Sequence, residues 1–368
     1  MPFLDLRITD DGEFAALIDA VSAVFRHGRI VMGPEVDTFE RRFAEYCGRR
    51  HAVGVGSGSD AVLLALLAAG IGPGDEVVTT SLSWIATANA IALSGATPVF
   101  ADIADDLNID PASVERLIGP RTKAILPVHY TGKICRVPEI RALCERYGLL
   151  LIEDAAQAYG AMLDGRVAGA FGDLACFSMN AMKVLAGLGD AGMVLTDSDE
   201  LKDRLVALRY NGTINREVCV QPSINGRLDT LQAAILLVRM DRVPAIIERR
   251  REIAAWYSRR LAGIVDVPVE RPGERDIYYT YQIRSAERDA LKAHLEASGV
   301  EVKIQHPIAM PDQPAYREGV KAECTNARRM ISRILCIPAH EKLSNTDVEY
   351  VADRIEEFAS TAGKADAR

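Results

Sequence analysis

The sequence predicts an α/β protein: a mostly parallel, seven-stranded sheet with helices on both faces, followed by a smaller C-terminal α+β domain. Over the first two-thirds of the 368 residues, seven short apolar runs rich in β-branched side chains alternate with segments of helical period. Alternation of this kind is the mark of strand–helix–strand crossovers, which leave ligands at the carboxyl ends of parallel strands. The stretch Val267-Pro-Val-Glu-Arg-Pro-Gly273 then breaks the pattern, and a shorter strand and further helices follow it.

Taken in order, the first helix places Leu17, Val21 and Val24 on one face and is ended by Gly28; the second carries Val36, Phe39 and Phe43. Both stand ahead of the sheet and are expected to frame an interface. Strands are expected at 51–55, 76–80, 98–102, 124–128, 149–154, 174–178 and 193–196, with helices between them, for example at 60–69 and 138–147. Helical pattern runs from 228 to about 240 and again through 260. The smaller domain has a strand-like segment at 277–284, a helix at 289–298 and a final amphipathic helix from 347 to about 358. The tail 360–368 is small and polar and is expected to fray. These features divide the chain into a large domain, 1–240, and a small one, 241–368.

A net charge of −8 and an isoelectric point near 5.4 argue against binding nucleic acid through the overall field, although a local basic pocket for a phosphate stays open. Seven cysteines without C-x-x-C spacing read as reduced thiols rather than a disulfide framework, and no metal motif is present. The first residues lack a basic region followed by an apolar core, and the longest apolar stretch, Ala61 to Ile71, is too short to span a bilayer. The expectation is a cytoplasmic enzyme without membrane or nucleic-acid partners.

Lys183 is the only charged residue between Asp173 and Asp190. Apolar surroundings disfavour the charged form of an amine, and a neutral amine is a nucleophile. Asp154 stands 29 residues upstream at the end of the apolar run Leu149-Leu-Leu-Ile-Glu-Asp. A Schiff-base lysine and an acid holding a protonated pyridine nitrogen are the two groups pyridoxal phosphate chemistry requires. Taken alone, Asp154 reads more readily as a helix cap at a strand end, and its coincidence with Lys183 shifts the balance. Gln157, three residues on, is placed to reach the same ligand.

Gly54-Val-Gly-Ser-Gly-Ser-Asp60 follows a strand and opens a helix, whose free N–H groups and positive dipole end suit a phosphate on Gly58, Ser59 and Asp60. The segment equally reads as a plain turn with Ser59 as its cap. A dinucleotide fingerprint fails here because Ser59 stands where the third glycine belongs, and the full match Gly187-Leu-Gly-Asp-Ala-Gly192 precedes a strand instead of opening a helix. Ser178, at the end of another strand, offers a hydroxyl to a phosphate oxygen. Trp84 follows the second strand, where it either stacks on a flat ring or packs a core, and His129, on the same rim, either touches ligand or bonds a loop. His27, His51, His294, His306 and His340 show no metal or triad spacing and read as structural.

As a set these motifs resemble the DegT/DnrJ/EryC1/StrS family of pyridoxal-phosphate-dependent sugar aminotransferases, from about Pro34 to the end. The blocks that carry the likeness include Met32-Gly-Pro-Glu-Val36, Gly72-Pro-Gly-Asp-Glu76, Glu153-Asp-Ala-Ala-Gln-Ala158, Phe177-Ser178 with Lys183, and Asn225-Gly-Arg-Leu-Asp-Thr-Leu-Gln-Ala-Ala234. The resemblance implies a type I pyridoxal-phosphate fold and a homodimer with both sites at the interface. It implies that Lys183 forms the Schiff base, Asp154 pairs with the pyridine nitrogen, Gln157 contacts the phenolic side of the ring and Trp84 stacks on it. Phosphate is expected on Ser59, the Asp60 backbone and Ser178, with Asn225 reaching in from the partner subunit and Arg227 near the substrate.

The implied reaction moves an amino group from glutamate or glutamine, through the pyridoxamine phosphate form, to a keto sugar carried on a nucleotide diphosphate. A related sugar dehydratase has histidine in place of the lysine, so Lys183 argues against it. Amination of a cyclitol ketone, and a regulatory protein that binds the cofactor without turnover, remain the alternatives. One departure stands out. Met179, Asn180, Ala181, Met182 and Val184 surround the lysine where the family usually has aromatics, proline and a hydroxyl, and Met182 and Val184 are expected to reshape the sugar pocket.

Overall fold

The computed structural model describes residues 1–365, with side chains to residue 361 in the last helix. Seven strands form the main sheet: β1 (His51–Val55), β2 (Glu76–Thr80), β3 (Thr97–Ala101), β4 (Thr122–Leu126), β5 (Leu150–Asp154), β6 (Leu174–Ser178) and β7 (Gly192–Thr196). Their order is β1-β7-β6-β5-β4-β2-β3, and β7 alone is antiparallel to its neighbours. The expected strands are all present. The fourth ends two residues early because Pro127 has no N–H to extend the ladder, although Val128 still bridges Asp154.

Successive strand residues face opposite cores, as the period of two requires. Val78, Ile125, Leu151 and Ala175 pack against α2 (Pro34–Cys47), α5 (Pro111–Leu117) and α6 (Val137–Tyr147), whereas Val77, Ala124, Ile152 and Leu174 pack against α3 (Gly58–Ala68), α4 (Ala86–Leu93) and α7 (Asp199–Leu208). Two covered faces explain why these strands read as continuous apolar runs. The first helix, α1 (Asp11–His27), packs on α8 (Thr230–Met240) and is closed by Gly28 in the left-handed conformation, φ 70°.

The long helix α9 (Val243–Leu261) belongs to two cores. Val243 and Ile247 pack into the sheet core, while Ile253, Ala254, Tyr257 and Leu261 pack into a C-terminal core with β8 (Tyr281–Arg284), α10 (Arg288–Ala297), β9 (Ile334–Ile337) and α12 (Asn345–Ala365). Between α10 and β9 lies α11 (Thr325–Ile331). The strand expected at 277–284 shortens to β8 because Tyr278 takes a left-handed φ of 48°, which no strand accommodates. The expected frayed tail is corrected in part: the last helix continues through Ala365, and 366–368 lie outside the described residues. Among the described residues no helix is long and apolar enough to cross a membrane, and no cluster of three His, Cys, Asp or Glu side chains is arranged for a metal ion.

Candidate active site

A cavity of about 1060 Å³ opens at the carboxyl edge of the sheet, bounded on its far side by the C-terminal core. Asp154 forms its floor. Backbone bonds hold the end of β5 on both sides, from Asp154 N to Pro127 O at 2.9 Å, from His129 N to Asp154 O at 3.0 Å and from Ala155 N to Cys176 O at 2.8 Å. The carboxylate is buried and accepts from Thr87 Oγ1 at 2.8 Å and Ala156 N at 3.1 Å. Burial raises its pKa, while these hydrogen bonds and the charge of Lys183 oppose the rise.

The loop from β6 to β7 carries Lys183. Bonds from Ala181 N to Gly189 O (2.9 Å), Gly187 N to Met179 O (2.8 Å) and Lys183 N to Asn180 O (2.8 Å) fold it as a wide hairpin, which is why β7 returns antiparallel. Gly187 makes this possible, since a Cβ there would lie 2.7 Å from Gln232 Oε1, and Gln232 in turn holds Leu188 N and O. Lys183 is half-buried at the cavity wall rather than enclosed in apolar interior, and its ammonium stands 4.5 Å from the centre of the Tyr279 ring.

At the third side, α3 points its N-terminus into the cavity. Its cap is Ser57, whose Oγ accepts Asp60 N at 3.0 Å; this corrects the expectation that Ser59 is the cap. The Asp60 N–H is thereby engaged and its side chain lies off the cavity wall, whereas Ser57, Gly58 and Ser59 line it. Ser178 lines it from the end of β6, so close that a Cβ on Gly58 would sit 2.5 Å from Ser178 Cβ. Gln157 also lines the cavity, its Oε1 accepting Thr131 N at 3.0 Å. Trp84 stands at the mouth with 62% of its surface exposed, too open for a core residue.

Three expected residues lie elsewhere. His129 is fully buried behind β5: Nδ1 accepts Cys135 N at 3.3 Å, so Nε2 carries the proton that it shares with Glu153 at 2.8 Å. Burial alone would raise the Glu153 carboxyl, but bonds from His129 and the N–H groups of Gly169 and Gly172 outweigh it and bring it below the usual range. His129 is therefore a support beneath Asp154, not a wall of the cavity. Asn225 bridges Tyr210, and the Arg227 guanidinium lies 4.4 Å from the Tyr210 ring centre; neither lines the cavity. Val184 turns into the sheet core, whereas two of the departures, Asn180 and the 48%-exposed Met182, line the cavity.

Sequence reasoning missed Thr87, Tyr279 and His306. Thr87 lies one turn beyond Trp84 and was legible from that spacing. His306, read as structural, lines the cavity with a left-handed φ of 54° and its ring 5.9 Å from Trp84; burial and then the charge of Lys183 lower it to about 4.

These residues fit pyridoxal phosphate. Gly58 and Ser59 present helix N–H groups beside the Ser178 hydroxyl, a setting for a phosphate. The buried Asp154 carboxylate is suited to a cationic ring nitrogen, which would relieve its desolvation. Lys183 supplies the amine on the cavity wall.

The model of the DegT/DnrJ/EryC1/StrS aminotransferase family matches residues 13–356. The chain belongs to this family. A dTDP-3-amino-3,4,6-trideoxy-alpha-D-glucose transaminase of Streptomyces venezuelae is 38% identical across 99% of this chain and 98% of its own. A pleiotropic regulatory protein of Geobacillus stearothermophilus is 37% identical across 97% of this chain and 98% of its own. The crystal structure of S. venezuelae DesV in complex with a ketimine intermediate superposes with a TM-score of 0.94 at 38% identity, covering 97% of this chain and 98% of that one. The family is pyridoxal-phosphate-dependent, and the type I fold implied by the sequence is the fold observed.

Proposed function

We propose that this aminotransferase moves an amino group from glutamate or glutamine to the ketone of a sugar carried on a nucleotide diphosphate. One observation carries the reading: Lys183 and the buried Asp154 carboxylate face one cavity, with the α3 N-terminus and Ser178 as a third, phosphate-sized wall. The named transaminase relative supports a nucleotide-linked sugar as acceptor. Bound here, pyridoxal phosphate supplies an aldehyde that condenses with amines and a ring that accepts the electron pair left by a lost Cα proton. Gly58, Ser59 and Ser178 would hold the phosphate end, and Trp84 and Gln157, which line the same cavity, would contact the ring. Asp154, whose carboxylate accepts from Thr87 and Ala156, would pair with the ring nitrogen and hold the proton there. Lys183 Nζ, when released, would carry the proton between the substrate carbon and the cofactor carbon C4′. Lysine at this position also selects amination over the dehydration run by histidine-bearing relatives.

The working unit in this proposal is a homodimer. Phe14, Ile18 and Phe25 on α1, with Ile30 and Val31, present an exposed apolar face of the kind a second copy covers. Asn225 and Arg227, which do not line their own cavity, are then available to serve the partner's. A cytoplasmic enzyme fits this acidic chain with reduced thiols.

The test is spectroscopic. Glutamate or glutamine should convert the reconstituted yellow protein to its pyridoxamine form, and a nucleotide-linked ketosugar should convert it back. Reoxidation by cyclitol ketones alone would overturn the sugar reading. The regulatory relative motivates a second reading, cofactor binding without turnover, which is upheld if no donor discharges the colour.

A further inference from the structure

We propose that Tyr279 is a positioning residue for Lys183: the face of its ring receives the lysine ammonium whenever the amine is not bonded to cofactor, and holds Nζ on the cavity side. The proposal rests on the reading of Lys183 as the cofactor-bonding amine. A lysine in that role alternates between a bonded and a free state, and the free state requires a place for the charge.

The ring centre lies 4.5 Å from Nζ, within the roughly 6 Å at which a ring face attracts a cation. No ion pair among the described residues includes Lys183, and the acids that line the cavity are engaged elsewhere: Asp154 by Thr87 and Ala156, Asp190 by Asn180 Nδ2 at 2.7 Å, and Glu296 by Lys292 Nζ at 2.6 Å. A carboxylate beneath the amine would hold it strongly and desolvate at a cost. A ring face holds it weakly enough to release it.

The segment that presents Tyr279 is fixed for the purpose. Ile277 N bonds Gly132 O at 3.2 Å, Thr280 N bonds Thr131 O at 3.3 Å, and Arg250 Nη1 donates to the carbonyls of Tyr278 and Tyr279 at 3.4 and 3.3 Å. Tyr278, at φ 48°, breaks the strand alternation: its own ring enters the C-terminal core, while Tyr279 packs against the sheet core beside the loop that carries Lys183. Gly132, at φ 97°, leaves the room for this approach, since a Cβ there would lie 2.8 Å from Tyr279 N. The same turn bonds Gln157 through Thr131 N, so the ring under the amine and the amide on the cavity wall share one support.

Reductive methylation of Lys183 in the full-length, cofactor-free protein, read by peptide mass spectrometry, tests the proposal. The quantity to compare is the labelling rate at neutral pH divided by its alkaline plateau, because simple opening of the site raises both rates and cancels. Tyr279→Leu should raise this ratio roughly 2- to 30-fold, the range of a cation–ring contact, while Tyr279→Phe, which keeps the ring, should stay near wild type. Tyr279→Met replaces the leucine variant if circular dichroism shows that one unfolded. In the loaded enzyme the glutamate half-reaction, followed by cofactor absorbance, should shift toward the pyridoxal form in the ringless variants only. An unchanged ratio in both ringless variants, or an equal change in Tyr279→Phe, overturns the proposal. A wild-type protein that shows no absorbance change with any donor instead overturns the aminotransferase reading, and the labelling ratio still judges Tyr279.

Discussion

Thr87 Oγ1 donates to Asp154 Oδ2 at 2.8 Å, tying the first turn of α4 to the last residue of β5 across the floor of the cavity. Removing the hydroxyl leaves a buried carboxylate short of a donor, a loss of roughly 1–3 kcal/mol. Thr87→Val should lower the rate of the donor half-reaction by about tenfold and Thr87→Ser should restore it, as stopped-flow absorbance will show.

Lys183→Ala removes the amine and leaves the walls at Gly58, Ser59 and Ser178 intact. The variant should still bind pyridoxal phosphate but lose the covalent yellow absorbance, and turnover should fall by at least about 10²-fold for want of the proton shuttle. A covalent adduct trapped by borohydride in this variant would sink the assignment.

Glu153 accepts four donors with two oxygens: Phe171 N and Gly172 N on one, His129 Nε2 and Gly169 N on the other. In Glu153→Gln the new NH₂ must face two of these donors, whichever way the amide turns. With two buried N–H groups unpaired the expected loss is roughly 2–6 kcal/mol, measured as a shift of the urea midpoint. His129→Gln should disturb stability more than substrate affinity, since His129 lines no part of the cavity.

Asp276 provides a pH test. Burial pushes its carboxyl up to about 7, with the bond from Tyr278 N and the charge of Lys133 acting against the rise. A raised pKa means the folded state binds this proton more tightly than the unfolded chain. The cost of ionising it is therefore absent below about pH 4 and grows as the pH rises to about 7. Thermal stability attributable to this group should fall over that window, and Asp276→Asn, which keeps an acceptor for Tyr278 N, should flatten the fall. A melting temperature that varies with pH identically in the variant would exclude the effect.

Much of the site was legible because its chemistry lies in short local patterns. Lys183 announced itself by isolation, Asp154 by ending an apolar run, and Gly58 by opening a helix after a strand. Tyr279 and His306 gave no such signal. Each is an aromatic or imidazole ring in an irregular segment, and a positive φ at Tyr278 or His306 is not written in residue type. The helix cap was misplaced by two residues because Ser57 and Ser59 are equivalent as letters and differ only in which hydroxyl reaches Asp60 N.

The sequence by itself determined the sheet and its two covered faces, and it singled out Lys183 and Asp154 as the candidate amine and acid, because periodicity and isolated charge are local properties of the chain. Only the tertiary structure decided which neighbours serve them. It turned His129 and Val184 inward, set Thr87 against Asp154, and brought Tyr279 from 96 residues further along the chain beneath Lys183. Those are contacts between residues that are distant in the chain, fixed by how the helices and the C-terminal core pack on the sheet.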